Sequence, residues 1–175
     1  MLDRFSQEEQ LILLERARHI GTQALDTQAA QRRSLLTIIA GGEPYAVYLD
    51  DLLAIHDSVP VTPVPGTPRF VRGIANVRGH ILPVVDLAVM LTGDSGRVAE
   101  GKLLLLEIAQ EQVALLVDET QEIVSQDVNQ IEALPAEMDH LTYATGILPN
   151  GVVLLDILAQ LKDPRLLVNE ITDND

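Results

Sequence analysis

Two stretches of this chain repeat one another. Tyr45-Ala46-Val47-Tyr48-Leu49-Asp50-Asp51 lines up with Val113-Ala114-Leu115-Leu116-Val117-Asp118-Glu119. Ile55 then falls on Ile123, and Val61-Thr62-Pro63-Val64-Pro65 on Ile131-Glu132-Ala133-Leu134-Pro135. Gly73-Ile74 meets Gly146-Ile147, and Pro83-Val84-Val85-Asp86-Leu87 meets Val153-Leu154-Leu155-Asp156-Ile157, the offset staying between 68 and 73 throughout. Two copies of about 60 residues, each with four or five short strands, fit two small β-barrels better than one large sandwich. Neither copy alone is large enough to be comfortably stable, so the two are expected to share an apolar interface. The cleft between them is then the natural place to bind something.

Local patterns fill in the copies. Leu35–Ala40 and Tyr45–Leu49 are apolar runs around Gly41-Gly42-Glu43-Pro44, the pattern of a hairpin. Leu52–Ile55 reads as strand or turn. Four prolines between residues 60 and 68 predict an extended surface loop, since proline can neither continue a helix nor donate to a central ladder. Next, two β-rich runs meet at Asn76-Val77-Arg78-Gly79, where Asn and Gly make a reversal cheap. Asp86 is placed to cap Leu87–Leu91, with Gly93 to stop it. Lys102–Ile108 and Val113–Val117 read as strands, Ile123–Ile131 as mixed, and Gly146–Leu155 as a β pair around Pro149-Asn150-Gly151. Asp156 opens Ile157–Leu161 as Asp86 opens its own segment.

Residues 6–30 follow a different period. Ser6 and Glu9 have capping-box spacing, and Leu13, Ala17, Ile20 and Ala24 recur at helical steps, with Leu14 and Leu25 widening the stripe. An amphipathic helix is expected, packed on its own body or docking a partner helix. The predicted organisation is a helical extension over 1–33, a repeat-bearing domain over 34–168 and an acidic tail over 169–175.

Charge and composition exclude several functions. The formal net charge is −14, so most of this surface repels a phosphate backbone, and two Phe, three Tyr and no Trp make a poor stacking platform for nucleic acid. The chain has no cysteine, which removes disulfides, thiolate catalysis and Cys-ligated zinc. No apolar run reaches 18 residues and no signal-peptide pattern opens the chain, so a cytoplasmic protein without membrane insertion is expected. P-loop, GxSxG, GxGxxG and HExxH motifs are all missing. His19, His56, His80 and His140 are scattered, and Asp50-Asp51, as neighbours on a strand, would point to opposite faces. No catalytic residue, metal site or cofactor is therefore expected.

Arg78 stands apart. From Ser58 to Val85 there is no Asp or Glu, while Arg69, Arg72 and Arg78 all lie there. The second copy has Leu148-Pro149-Asn150-Gly151 where the first has Asn76-Val77-Arg78-Gly79, so the repeated scaffold does not demand the arginine. Arg78 reads either as a turn residue pairing locally or as a cationic partner contact.

The run Gly73-Ile74-Ala75-Asn76-Val77-Arg78-Gly79-His80-Ile81-Leu82-Pro83-Val84-Val85-Asp86-Leu87 resembles the hallmark of the CheW family of chemotaxis coupling proteins, with Val77 in place of the usual leucine. Tyr45-Ala46-Val47, Pro65 and Pro68 before Phe70, Leu116-Val117-Asp118-Glu119, Pro135 and Gly146 to Leu158 extend the resemblance over about residues 34–168. It implies a mainly β fold of two intertwined five-stranded SH3-like barrels. It also implies a non-enzymatic adaptor that joins a chemoreceptor's cytoplasmic tip to the regulatory domain of a CheA-type histidine kinase, in a receptor array serving chemotaxis, pilus motility or phototaxis. The alternative is a stand-alone module that regulates another partner through the N-terminal helix. Carried over by position, the partner-binding residues are Arg78, Asn76, Gly79, Gly73, Leu52, Ile55 and Ile123. The family usually has a glutamate before Ile55 and an arginine after Asp86-Leu87, where this chain has Ala54 and Ala88. Without the glutamate, Arg78 is expected to be solvent-accessible or to pair with another acid.

Overall fold

In the computed structural model, residues 31–94, 101–108, 110–138 and 143–161 are described below. The helix expected over 6–30 and the acidic tail lie outside them. The elements in order are β1 (Arg32–Ala40), β2 (Glu43–Tyr48), β3 (Ala54–Asp57), β4 (Val61–Thr62), β5 (Val71–Val77), β6 (His80–Asp86), the helix α1 (Leu87–Thr92), β7 (Lys102–Ile108), β8 (Glu111–Val117), β9 (Glu119–Asp127), β10 (Ala144–Ile147), β11 (Val153–Leu155) and the helix α2 (Ile157–Leu161). One sheet runs β10-β11-β2-β1-β9 and the other β3-β7-β8-β6-β5-β4.

The sequence repeat and the sheets do not coincide. Each sheet takes its opening hairpin, β1–β2 or β7–β8, from one copy and its remaining strands from the other. The registers obey the same rule twice. Leu154 on β11 pairs in parallel with Ala46 on β2, as Val84 on β6 pairs with Ala114 on β8. Leu36 on β1 faces Ile123 on β9, as Leu104 on β7 faces Ile55 on β3. The copies are thus intertwined by exchange of hairpins. Five strands form one sheet, as expected; the other gains a sixth because Val61–Thr62, inside the proline-rich stretch, pairs with β5 at the sheet edge. An edge is where prolines on either side are tolerated.

Other boundaries moved for physical reasons. β9 is one strand of nine residues rather than a mixed segment. It is an edge strand, so polar residues on its open face cost nothing. Pro44 and Pro83 lie inside β2 and β6, and each sits one residue before the parallel ladder of its strand begins. A residue that cannot donate is accommodated just where cross-sheet pairing starts.

The shared apolar interface is present, and it fills the space between the sheets. Leu36, Ile38, Val47, Leu155 and Ile157 pack in one buried cluster with their repeat counterparts Leu104, Leu106, Leu115, Val85 and Leu87. Two smaller clusters line the inner faces, Ala75, Val77, Leu82 and Val84 with Leu103 and Leu105 in one sheet, and Leu35, Ala46, Leu148 and Leu154 in the other. The expected cleft between the copies is therefore corrected: its place is taken by core. Ala88, where the resemblance would have an arginine, is buried in the shared cluster opposite the Gly41 turn.

Both caps form as read. The Asp86 side chain accepts from the Val89 N–H at 3.1 Å, and Gly93 closes α1 in the left-handed region at φ 77°. Asp156 accepts from the Ala159 N–H at 2.8 Å. Buried Asp86 also lies 3.6 Å from Arg72, which draws that arginine out of the acid-free window's surplus of positive charge.

Gly73 has the strictest local requirement. Its φ is +138°, and a Cβ there would fall on the Thr62 carbonyl as β4 crosses β5. Gly79 also has positive φ, at +91°, but opens onto empty space. Gly73→Ala should therefore cost about 3 kcal/mol or more, and Gly79→Ala about 1–2 kcal/mol. Urea unfolding of both variants measures the difference; equal losses would contradict this account.

At the opposite edge, Lys102 on β7 bonds Asp57 on β3. That hydrogen bond, with the ammonium charge, holds the exposed Asp57 carboxyl below the usual carboxylate range. A lowered folded-state pKa adds stability above the unfolded value, lost as pH falls through the folded one. An NMR titration should place the Asp57 midpoint below that of an ordinary aspartate, and Lys102→Gln should return it. An ordinary midpoint in the parent chain would contradict the pairing.

Candidate functional site

The β5–β6 hairpin turns at Arg78-Gly79, with Val77 paired to His80. Both turn residues have positive φ, 52° and 91°, as a type I′ hairpin requires. Such a turn favours Asn or Gly at its first central position, yet Arg78 stands there. The sequence pattern suggested Asn76 as the residue easing the reversal. Asn76 instead remains in β5, and its Oδ1 accepts from the Gly79 N–H at 2.8 Å, bracing the turn from outside.

Arg78 is exposed and makes no ion pair or side-chain hydrogen bond among the described residues. This meets the expectation of solvent access, and no alternative acid is used there. Ala54 packs against the inner apolar cluster of its sheet. An arginine in the left-handed region costs about 1 kcal/mol or more relative to glycine. Nothing in the described fold offsets that cost, the pattern that marks strain kept for function.

The surface beside the turn is apolar. Alternation along β5 and β6 turns Ala75, Val77, Leu82 and Val84 inward and leaves Ile74, Asn76, Ile81 and Pro83 outward. Ile74 faces Pro83 across the ladder and Asn76 faces Ile81, so these four form adjoining rows leading to the Arg78 turn. Ile81 is 62% exposed, the largest value among the exposed large hydrophobic residues, and Ile74 is 39% exposed. Sequence reasoning missed both isoleucines. The signal was available in the period-2 alternation, because a one-residue phase decides which isoleucine is core.

The remaining expected site residues separate. Ile55 is exposed on β3, at the other edge of the same sheet in ladder order. Leu52 is half-buried against the shared cluster just before it. Ile123 is exposed on β9, in the other sheet. Gly73 is buried, and its backbone packing under β4 accounts for it without any partner. Ile55 and Ile123 nevertheless occupy equivalent places. The row Ile55–Leu104–Leu115–Val85 in one sheet matches Ile123–Leu36–Val47–Leu155 in the other. In each row, every member but the terminal isoleucine belongs to the shared buried cluster. The two isoleucines are its bare margins.

The second copy's counterpart to the Arg78 turn is closed. Leu148 is buried in the inner cluster, and Leu148–Gly151 forms a tight turn through the Gly151 N–H to the Leu148 carbonyl at 2.8 Å. Among the described residues, only the first copy presents a cation and an apolar strip together. As for metals, Asp50 lies 3.3 Å from Arg33, whose guanidinium stacks over the Tyr48 ring at 4.7 Å. Among the described residues no cluster of three His, Cys, Asp or Glu could hold an ion. Nor is any described helix long and apolar enough to cross a membrane.

Comparison with known proteins agrees with this geometry. The CheW-like domain family profile matches residues 34–165. Chemotaxis protein CheW of Klebsiella aerogenes is 28% identical over 131 residues, covering 71% of this chain and 79% of its own. Protein FrzA of Myxococcus xanthus is 29% identical over 97 residues, 55% of this chain and 61% of its own. The crystal structure of the scaffolding protein TtCheW from Thermoanaerobacter tengcongensis superposes with a TM-score of 0.62 at 26% identity, over 70% of this chain and 88% of that one. With the hairpin exchange, the two caps and a profile match across most of the chain all in agreement, this chain belongs to the CheW-like domain family.

Proposed function

We propose that this protein is a non-enzymatic adaptor of a chemosensory array in the cytoplasm. It joins the cytoplasmic tip of a chemoreceptor to the regulatory domain of a CheA-type histidine kinase. The observation that carries this reading is Arg78, an exposed arginine with no ion pair among the described residues, in a turn conformation that disfavours it, beside the exposed strip of Ile74, Ile81 and Pro83. A cation next to apolar surface suits a partner that offers a carboxylate beside a hydrophobic ridge, as an amphipathic helical hairpin does. The chemotaxis proteins that this chain resembles support the same assignment. Ile55 and Ile123, the two bare margins of the shared cluster, give equivalent apolar edges to which a second partner can dock.

Arg78→Asn separates the two roles of the residue. Asparagine suits the left-handed turn better, so thermal stability should stay level or rise by up to about 1 kcal/mol. Binding to a receptor-tip peptide hairpin or to the kinase regulatory domain, measured by calorimetry, should weaken about tenfold, or 1.4 kcal/mol. Unchanged affinity for both partners would refute the site, and absence of binding by the parent chain to either would refute the adaptor reading.

A further inference from the structure

β8 borders the strip of Ile74, Ile81 and Pro83 on the side away from β5. In the parallel ladder Val84 pairs with Ala114, and three steps back along both strands Glu111 comes beside Ile81. Glu111 also pairs with Ile108 across the β7–β8 hairpin. Alternation fixes the face. Leu104, Leu106 and Leu115 lie in the shared cluster with Ile108 and Val113 packed against it, whereas Leu103, Leu105, Ala114 and Leu116 line the inner one. Glu111 therefore shares the face of Ile81 and Pro83, while Glu107, exposed at the same hairpin end, belongs to the opposite face. Glu111 is exposed and makes no ion pair or side-chain hydrogen bond among the described residues. The other acids of β5 to β8 are Glu107 and Asp86, and Asp86 is buried against α1 and Arg72. The strip thus has a free cation at one end and a free anion at the other.

We propose, resting on the adaptor reading, that Glu111 determines specificity at the Arg78 surface. It takes a lysine or arginine of the docked helix while Arg78 takes a carboxylate, and so fixes the direction in which the helix lies. The spacing suits one helix. In the order β8-β6-β5 the outer strands stand two spacings apart, about 10 Å, and Arg78 lies two residues beyond Asn76, which together separate Glu111 from Arg78 by about 12 Å. On one face of a helix, residues seven or eight positions apart are separated by about 10.5–12 Å. The fitting partner therefore carries an acid and a base seven or eight positions apart, with aliphatic side chains between them to cover Ile81. A helix with acids at both ends meets Glu111 as a like charge, and one with bases at both ends meets Arg78 as one. Arg78 alone would accept the helix in either direction.

The test titrates the receptor-tip peptide hairpin into the full chain and its variants by calorimetry. Glu111→Gln should weaken binding about threefold and Glu111→Lys about tenfold, while Glu107→Gln leaves it level. Both acids are exposed, so urea midpoints should not move. The sign is decisive because the chain is acidic: an acid acting only through net charge would, on removal, tighten binding of a partner that carries carboxylates. A nitroxide at one end of the peptide helix should broaden the amides of residues 78–80 or those of residues 110–112 in the parent chain, and both sets in Glu111→Gln. The proposal is overturned if Glu111→Gln leaves affinity level or tightens it, if Glu107→Gln weakens it equally, or if the label broadens both sets in the parent chain. Weakening by Arg78→Asn without weakening by Glu111→Gln overturns this assignment alone. Unchanged affinity in Arg78→Asn overturns the site, and this assignment with it.

Discussion

The structure depends on the apolar cluster that both sheets share. Leu36, Ile38 and Val47 from the first copy meet Leu104, Leu106 and Leu115 from the second, each side fully or almost fully buried. A buried leucine of this kind contributes about 1.5–3 kcal/mol through removal from water. Hairpin exchange adds a topological tie, because neither sheet contains all the strands of either copy. Half of the chain therefore cannot complete a sheet or cover its apolar face. The domain is one cooperative body with two similar ends.

Much of this was legible in the sequence, for identifiable reasons. Capping is local, so Asp86 and Asp156 declared the starts of α1 and α2. The Gly41-Gly42 and Pro149-Asn150-Gly151 turns were equally plain, and alignment of Val84-Val85-Asp86 with Leu154-Leu155-Asp156 exposed the repeat. The resemblance carried by Gly73 to Leu87 named the intertwined barrels and the family. Residues alone did not reveal which hairpin joins which strands, since the alternation of β1 matches that of β7 and either could face Ile55 or Ile123. The cleft failed as an expectation because two apolar outer faces that meet leave core, not space. β9 escaped recognition because an edge strand keeps polar residues on its open face, and Ile123 alone among them marks the margin.

Near-symmetry of the scaffold makes its departures informative. Where the second copy closes its hairpin with buried Leu148, the first holds Arg78 at positive φ in solvent. Where the sequence resemblance leads one to expect a glutamate and an arginine, Ala54 and Ala88 pack into apolar clusters. Arg78 thus stands in the acid-free stretch from Ser58 to Val85 of an otherwise acidic chain. Binding by such a surface is expected to weaken as salt screens the arginine, while the apolar strip is little affected.

The central claim is that the two copies are a single body because they exchange hairpins around one core. Native-state hydrogen exchange tests it most directly. Amides of β1–β2 and of β7–β8 should open with the same free energy, equal to that of global unfolding. Exchange of one hairpin pair through a partial opening of lower free energy, with the other sheet still protected, would contradict it.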